Sequence, residues 1–180
     1  MKHLFYINKT MKAESISIDT QYTYQFWHPS FTTVLPKGLK NFSLLVWWLF
    51  HHLKLFANNN YSIFLIYDNK KLIHRSFIFP KYFRFPFMTK NDLQIGDTYT
   101  DPNYRGKNLA TFAIQEIVKN YGKIDGNTRN IWYLVDQNNT ASIHVIEKAE
   151  FKLYGKGQKN RRFGMSVFGY YDIEHYENNN

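Results

Sequence analysis

The residues best suited to chemistry lie in a short basic loop, within positions 101–110, between a strand-like segment and a helix-like segment. The first turn of a helix presents backbone N–H groups without partners, and the helix dipole attracts anions to the same place. Arg105 and Lys107 add two cationic side chains to this loop. The loop is therefore predicted to bind phosphate, and a pyrophosphate in particular.

The spacing of this loop separates it from other phosphate-binding loops. One glycine, Gly106, and no Ser or Thr after Lys107 exclude a P-loop and a dinucleotide fingerprint. The residues instead resemble the pattern Q/R-x-x-G/A-x-G/A of the GNAT acetyltransferase family, with Arg105 first and Ala110 last. Asn108 stands where the family usually has glycine, and Asn is the residue that best tolerates a left-handed backbone after glycine.

A second segment, residues 138–151, strengthens this resemblance. It is similar to the family's second motif, in which Asn-x-x-Ser opens an amphipathic helix that ends in Glu-Lys-x-Gly-Phe. The matching residues are Asn139, Ser142, Glu147, Lys148 and Phe151. The two motifs together cover about a third of the chain, which is more specific than either motif alone.

The resemblance implies a fold and a cosubstrate. The expected fold is α/β (α+β), a single GNAT-like domain whose mixed central sheet of about six or seven strands is flanked by helices. Its parallel central strands, at 92–100 and 130–135, are expected to splay apart and admit the pantetheine arm of acetyl-CoA. The implied cofactor-binding residues are Thr98, Tyr99, Thr100, Arg105, Gly106, Lys107, Asn108, Leu109, Ala110, Asn139 and Ser142.

Acyl transfer from a thioester to an amine needs a proton acceptor, a stabilised carbonyl oxygen and a proton donor for the leaving thiolate. The predicted base is Asp97, which alternatively faces solvent or pairs with Arg75 or a lysine. His74 is the second catalytic candidate, or else a hydrogen-bonded core histidine. Ile146 occupies the position of the family's usual general-acid tyrosine, and His144 lies about 200° around the helix from it.

The pattern of the second half matches the acetyltransferase order of elements. Hydrophobic patterning and turn residues predict a hairpin at 61–79, a strand at 92–100, a helix from 109 to Gly122, a strand at 130–135, a helix capped by Asn138 or Asn139, and a hairpin of 151–154 and 162–170 around a turn at 155–160.

The first half is patterned less clearly. One or two strands are predicted within 15–26, and a helix within 42–57 that packs on the sheet through Leu45, Trp48, Leu49 and His52. Aromatic residues in the loop at 80–89, in that helix and in the final hairpin form either an acceptor pocket or simply an aromatic core.

Bulk composition limits the class of protein. A length of 180 residues with 44% hydrophobic residues predicts one domain, residues 1–177, followed by a disordered tail at 178–180. The absence of cysteine excludes disulfides, a thiol nucleophile and zinc–thiolate sites, and no metal is expected. Apolar runs too short for a signal peptide or a membrane helix predict a cytoplasmic protein without membrane contact.

The net charge of +9 attracts polyanions, among which CoA, nucleotide-sugars and nucleic acid are all possible partners. No long Lys/Arg run is present, so nucleic acid is not the expected partner, and the protein is expected to be a monomer or a homodimer.

Three functions remain open: an acetyl-CoA-dependent N-acetyltransferase acting on a small amine, such as an amino-sugar or nucleotide-sugar; a degenerate relative that binds CoA or another polyanion without catalysis; and a relative of transferases that use aminoacyl-tRNA.

Overall fold

A computed structural model of the protein describes residues 2–8, 16–39, 44–124, 126–162 and 164–175, so the tail predicted at 178–180 lies outside the described residues. The strands are β1 Lys2–Asn8, β2 Tyr22–Trp27, β3 Ser62–Asp68, β4 Lys71–Pro80, β5 Leu93–Thr100, β6 Lys123–Ile124, β7 Asn127–Thr128, β8 Ile131–Asp136, β9 Lys152–Arg162 and β10 Met165–His175. The helices are α1 Leu45–His52, α2 Leu109–Tyr121 and α3 Thr140–Lys148, with a 3-10 turn at Pro102–Tyr104.

Eight strands form one mixed sheet in the order β10-β9-β1-β8-β5-β4-β3-β2, and β6 pairs with β7 in a small separate hairpin. The predicted α/β architecture, a mixed sheet flanked by helices, is confirmed. The sheet has more strands than the predicted six or seven because β1 is inserted between β8 and β9. Phe5 and Tyr6 of β1 are buried on opposite faces of the sheet. The sequence of this strand is therefore a short apolar run without the alternation that marks a half-buried strand.

The predicted splay of the two parallel strands is confirmed. β5 and β8 pair only from Leu93–Ile131 to Ile95–Tyr133. Beyond that point β5 continues beside β4 as far as Thr100, and β8 continues beside β1 as far as Asp136. The two strands therefore separate and leave a gap in the middle of the sheet, between elements that are each paired on their other side.

The two faces of the sheet carry different helices. α2 and α3 cover one face, where the buried residues Phe112, Ile114, Ile117 and Ile146 join a single hydrophobic cluster with the sheet. Gly122 caps the C-terminus of α2, as the sequence predicts. At about 25 cal/mol per Å² of buried apolar surface, this packing is the main stabilisation of the cavity walls described below.

α1 covers the other face but does not pack as predicted. Leu45 and Leu49 are 38% and 41% exposed, whereas Trp47 packs into the aromatic cluster, with its ring centre 4.9 Å from that of Phe79. The prediction was wrong because this helix is apolar on nearly all sides, so the period of its sequence does not select a buried face. No helix among the described residues is long and apolar enough to cross a membrane.

The final hairpin turns later than predicted. Residues 155–160 lie inside β9, which continues to Arg162, and β10 begins at Met165. Gly155 and Gly157 serve close packing instead, since a Cβ on Gly155 would lie 2.6 Å from the Glu174 carbonyl oxygen. Within the predicted strand region at 15–26, the strand begins only at Tyr22.

Candidate active site

The gap between β5 and β8 opens into a cavity of about 620 Å³ bounded by α2 and α3, within the size range of small-molecule and cofactor sites. Ten of the eleven residues predicted to bind the cofactor line it: Thr98, Tyr99, Thr100, Arg105, Gly106, Asn108, Leu109, Ala110, Asn139 and Ser142. Two sequence segments about 30 residues apart therefore meet in one place.

The loop before α2 is held by its own polar contacts. The Asp101 carboxylate accepts a hydrogen bond from the Asn103 backbone N–H at 3.0 Å and forms an ion pair with Lys71 at 2.8 Å. The hydrogen bond from Lys71 lowers the pKa of Asp101. The Tyr104 hydroxyl donates to Asp68 at 2.9 Å, which ties the loop to the end of β3. The loop is thus fixed on the β3–β4 hairpin.

Asn108 adopts the backbone conformation that the sequence analysis expects. Its φ of +58° lies in the left-handed region, the conformation that Asn tolerates best after glycine. Asn108 precedes α2 but makes no side-chain cap, and its Oδ1 instead accepts a hydrogen bond from Lys148 Nζ at 2.9 Å. The first amides of α2 are therefore not capped by this side chain and face the cavity beside Leu109 and Ala110.

The cations around the cavity are not those of the loop alone. Arg105 lines the cavity, with its Nε donating to the Thr100 carbonyl oxygen at 3.3 Å. Lys107 does not line it, because its Nζ donates to the Tyr22 hydroxyl at 3.2 Å and lies 5.2 Å from the Tyr104 ring centre. Lys148 takes a cationic position at the cavity although it lies in the second motif. The described lining residues include no carboxylate, so the electrostatic field favours an anion.

Asn139 and Ser142 open α3 at the opposite wall. Asn139 caps the helix, its side-chain oxygen accepting a hydrogen bond from the Ser142 backbone N–H at 3.1 Å. This confirms the predicted N-cap and brings both residues to the cavity surface.

His74 lies behind the cavity wall at the centre of a polar chain. Its Nδ1 is 2.8 Å from the Thr100 hydroxyl and its Nε2 is 3.0 Å from the Ser76 hydroxyl, which in turn is 3.1 Å from the Thr98 hydroxyl. Only 1% of the residue is exposed, so the imidazole does not reach the cavity itself. Burial, with the charge of Arg75 as a smaller cause, lowers the pKa of His74 to about 3. The ring is therefore neutral at pH 7 and orients Thr98 and Thr100.

This burial predicts a pH dependence of stability. The pKa of His74 is depressed in the folded state, so the unfolded chain binds more protons between its pKa of about 6.5 and the folded value of about 3. We expect the free energy of unfolding to fall by about 2 to 3 kcal/mol from pH 7 to pH 4.5 through this residue alone. Urea unfolding of the wild type and His74→Gln at both pH values measures it.

His28 and His51, whose pKa values burial also lowers, act equally in both proteins of that comparison. A smaller pH dependence in His74→Gln than in the wild type is the expected outcome, and equal pH dependence would contradict a buried neutral His74.

Asp97 lies at a β-bulge on the strand that borders the gap. The register of β4 and β5 shifts between Arg75 and Phe77, and Asp97 has a φ of +42°, which is unusual for a residue other than glycine. Its carboxylate is 50% exposed and 3.4 Å from the Arg75 guanidinium. Asp97 thus adjoins the cavity residue Thr98 but pairs with Arg75, on the strand face shared with the buried ring of Phe77.

The position of the family's general acid holds no proton donor in the structure either. Ile146 is fully buried in the core of the α2–α3 face. His144 lies on the exposed side of α3, away from Ile146 as its position on the helical wheel implies, and it lines the cavity.

Tyr133, which the sequence analysis did not single out, also lines the cavity and is 5% exposed. A tyrosine within an apolar strand is usually interpreted as a core residue. Only the sheet topology shows that the face of β8 carrying Tyr133 borders the gap.

The predicted aromatic acceptor region is a packed core. Phe85 is 3% exposed and stacks on Tyr171 at 5.7 Å, while Phe87 packs edge-on against Trp132 at 4.9 Å. A second cavity of about 420 Å³ lies beside α1, lined by His28, Pro29, Phe31, His51, His52, Lys54, Asn59 and Tyr61. Among the described residues, no group of three or more His, Asp or Glu side chains is placed to hold a metal ion.

Comparison with known proteins gives a family match. The model of the acetyltransferase (GNAT) family matches residues 20–151. Among solved structures, a GCN5-related N-acetyltransferase from Sphaerobacter thermophilus has a TM-score of 0.58 at 11% identity, covering 86% of this chain and 49% of that one. A GNAT-family acetyltransferase from Colwellia psychrerythraea has a TM-score of 0.53 at 14% identity, covering 84% and 52%.

A tandem GNAT protein of the clavulanic acid biosynthesis pathway has a TM-score of 0.55 at 10% identity, with 86% and 51% coverage. The chain thus spans about half the length of these structural relatives, and the likeness concerns the fold. No curated protein matches the sequence.

Proposed function

Because this chain belongs to the acetyltransferase (GNAT) family, we propose that it binds acetyl-CoA in the cavity between β5 and β8 and transfers the acetyl group directly to the amine of a small molecule. One observation carries the proposal. The uncapped N-terminus of α2, the cations Arg105 and Lys148, and the gap between the splayed strands all border a single cavity. An elongated thioester with a pyrophosphate at one end fits these features: the helix N-terminus and the cations suit the pyrophosphate, and the gap suits the arm that carries the thioester.

The pyrophosphate is proposed to sit on the loop at 105–110. The first residues of α2, whose N–H groups have no side-chain cap from Asn108, and Arg105 line the same cavity, and both kinds of group bind phosphate. A hydrogen bond to a charged group is worth about 1.5 to 3 kcal/mol, so a few of them give the micromolar affinity expected of a cosubstrate.

The pantetheine arm is proposed to lie along β5. A central strand offers backbone groups to both neighbours, and β8 no longer pairs with β5 after Ile95. The backbone N–H and C=O groups of Thr98 and Tyr99 that β4 does not pair are therefore available to the pantetheine amides, whereas the Thr100 carbonyl oxygen already accepts a hydrogen bond from Arg105. The bulge at Asp97 reorients the backbone beside the thioester, where an N–H can stabilise the negative charge that develops on the carbonyl oxygen.

Asp97 is the proposed base. Its carboxylate is half exposed beside Thr98, so an incoming ammonium group can lose a proton to it, directly or through water. His74 is the weaker candidate for this role because its buried ring has little affinity for a proton, and we assign it the positioning of Thr98 and Thr100 instead.

The Asp97→Asn variant tests this base. We expect kcat to fall about 100-fold, the usual worth of a general base, while the affinity for acetyl-CoA stays within about threefold. Asp172→Asn, which neutralises an exposed carboxylate on β10, is the matched control and should keep wild-type kcat. An equal loss in both variants, or none in Asp97→Asn, would exclude Asp97 as the base.

The proposed acceptor class is a small amine, with amino-sugars and nucleotide-sugars as the first candidates. Tyr99 supports this class, since its ring is 44% exposed and the Arg75 guanidinium lies 4.9 Å from the ring centre, next to Asp97. A ring and a cation together can stack on a sugar or nucleobase and contact its phosphate. Incubation with acetyl-CoA and an amine panel, read by CoA release and by the mass of the acetylated product, tests the class.

One observation favours a second function. Ile146 cannot donate a proton from the position where the family usually has a tyrosine, as expected of a protein that binds CoA without catalysis. Turnover of any amine in the panel would end this alternative, whereas tight binding without turnover across the panel would support it.

A further inference from the structure

The departing CoA thiolate needs a proton donor that this chain does not supply at the family's usual position. Ile146 is fully buried and carries no acidic hydrogen. If the proposed acetyl transfer takes place, on which this inference rests, the donor must come from another wall of the same cavity. A hydroxyl that already lies where the strands separate is the first requirement.

Tyr133 meets that requirement by its place in the sheet. It is the last residue of β8 that pairs with β5, opposite Ile95, so it stands at the apex of the gap. Its neighbours Trp132 and Leu134 belong to the cluster on the opposite face. Strand alternation therefore directs Tyr133 into the cavity on the α2–α3 side, where it is a lining residue.

The surroundings of Tyr133 hold its hydroxyl in place. Hydrogen bonding from the side chains of Thr98 on β5 and Ser142 on α3, which stand on the two walls of the cavity, partly offsets the effect of burial on the pKa of Tyr133. The ring packs edge-on against Phe151 at 6.5 Å, and 5% of the residue is exposed. Burial raises the pKa of Tyr133, so the phenol keeps its proton at neutral pH.

Other side chains of the cavity are less suitable donors. The Tyr104 hydroxyl already donates to Asp68 at 2.9 Å. His144 and Lys148 lie on the exposed side of α3, and Lys148 donates to Asn108 beside the phosphate-binding loop. Arg105 does not release its proton in proteins. Only Tyr133 among these residues is both buried and placed where β5 and β8 diverge.

We propose that Tyr133 donates its hydroxyl proton to the sulfur of CoA as the acetyl group leaves. The acceptor nitrogen forms a bond to the carbonyl carbon, the C–S bond breaks, and its electron pair stays on sulfur. The proton of Tyr133 goes to that sulfur. The acceptor nitrogen gives its proton to Asp97, and exchange with solvent then removes that proton from Asp97 and restores one to the phenol. Overall the amine loses one proton, the CoA thiol gains one, and no further reactant is consumed.

The test uses Tyr133→Phe, with Tyr6→Phe as its matched control. Tyr6 is the β1 residue directly opposite Tyr133; it is buried, donates to Glu147 at 2.9 Å and does not line the cavity. Both variants remove one buried hydroxyl from adjacent strands of the same core. A loss caused only by weakened packing should therefore appear in both, while a loss specific to sulfur should appear in Tyr133→Phe alone.

The primary measurement needs no acceptor amine. Bound CoA is titrated by the ultraviolet absorbance of its thiolate, because a hydroxyl that donates to sulfur stabilises the thiolate. We expect the acid dissociation constant of the bound thiol to be about tenfold smaller in Tyr133→Phe than in the wild type and in Tyr6→Phe. With an acceptor amine, kcat should fall about 100-fold in Tyr133→Phe while the acetyl-CoA Kd changes less than about threefold.

The outcomes separate this inference from the proposed function. Identical thiol titration in Tyr133→Phe and wild type, with acetyl-CoA bound by both, would overturn the role of Tyr133 and leave the proposed function standing. A shift caused by His144→Gln but not by Tyr133→Phe would assign the donor to His144 instead. Failure of the wild type to bind acetyl-CoA at all would overturn both.

Discussion

Replacement of Arg105 by glutamate is expected to weaken acetyl-CoA binding by about 100-fold or more. The substitution removes a charge-assisted hydrogen bond worth about 1.5 to 3 kcal/mol and places a carboxylate where the pyrophosphate is proposed to sit. The cavity has no described carboxylate in the wild type, so the repulsion is new. Calorimetric titration of acetyl-CoA into the purified variant gives the change in Kd directly.

Lys90→Glu is the control for this charge reversal. Lys90 is exposed in the loop before β5, at the end of that strand opposite Thr100. Lys90→Glu changes the net charge by the same amount as Arg105→Glu. We expect its Kd to stay within about threefold of the wild type. Lys107→Glu should fall between the two, since its ammonium contacts Tyr22 and Tyr104 rather than the cavity. Equal weakening in all three variants would mean that only net charge matters.

Replacement of Gly157 by alanine is expected to destabilise the protein by about 3 kcal/mol or more. A Cβ at this position would overlap the carbonyl oxygen of Asp172 on β10 and approach a ring carbon of Phe5 to 2.9 Å. Backbone cannot move away as a flexible side chain can, so the β9–β10 pairing or the β1–β9 pairing must shift. Urea unfolding gives the free energy difference.

Gly126→Ala is the comparison for this second substitution. Gly126 has a φ of +77° but no atom within 4 Å of its added Cβ, so only the left-handed backbone is penalised, by about 1 to 2 kcal/mol. If Gly157→Ala costs no more than Gly126→Ala, the close approach of β9 to β10 is not present in solution.

The parts of the site that the sequence predicts are those fixed by local interactions. The loop at 101–110 is specified by Asp101, which accepts from Asn103 two residues later, and by Asn108, which adopts a left-handed backbone next to α2. Gly122 and Asn139 likewise act within one helical turn of their own positions. Local chemistry of this kind is visible in the order of residues, so the sequence predicts the local structure of this loop, and its binding of phosphate stays a prediction.

The parts that the sequence does not predict depend on which distant element lies alongside. β1 pairs with strands more than 120 residues away, and the pattern of its seven residues does not indicate which strands these are. Lys148 reaches the cavity by contacting Asn108, 40 residues earlier. The sequence around Gly157 predicted a turn. The structure shows instead that glycine is needed there because Phe5 and Asp172, on neighbouring strands, approach its backbone closely. Tyr133 was overlooked for the same reason.

The central claim is that the cavity between β5 and β8 binds acetyl-CoA, and calorimetric titration with free CoA and ATP as controls tests it most directly. We expect micromolar binding of acetyl-CoA and of CoA, which share the pyrophosphate and pantetheine, and much weaker binding of ATP, which lacks the arm for the gap. Binding of ATP as tight as that of acetyl-CoA, or no binding of acetyl-CoA, would contradict the claim. Either result would mean that the loop at Arg105 binds a different phosphate ligand.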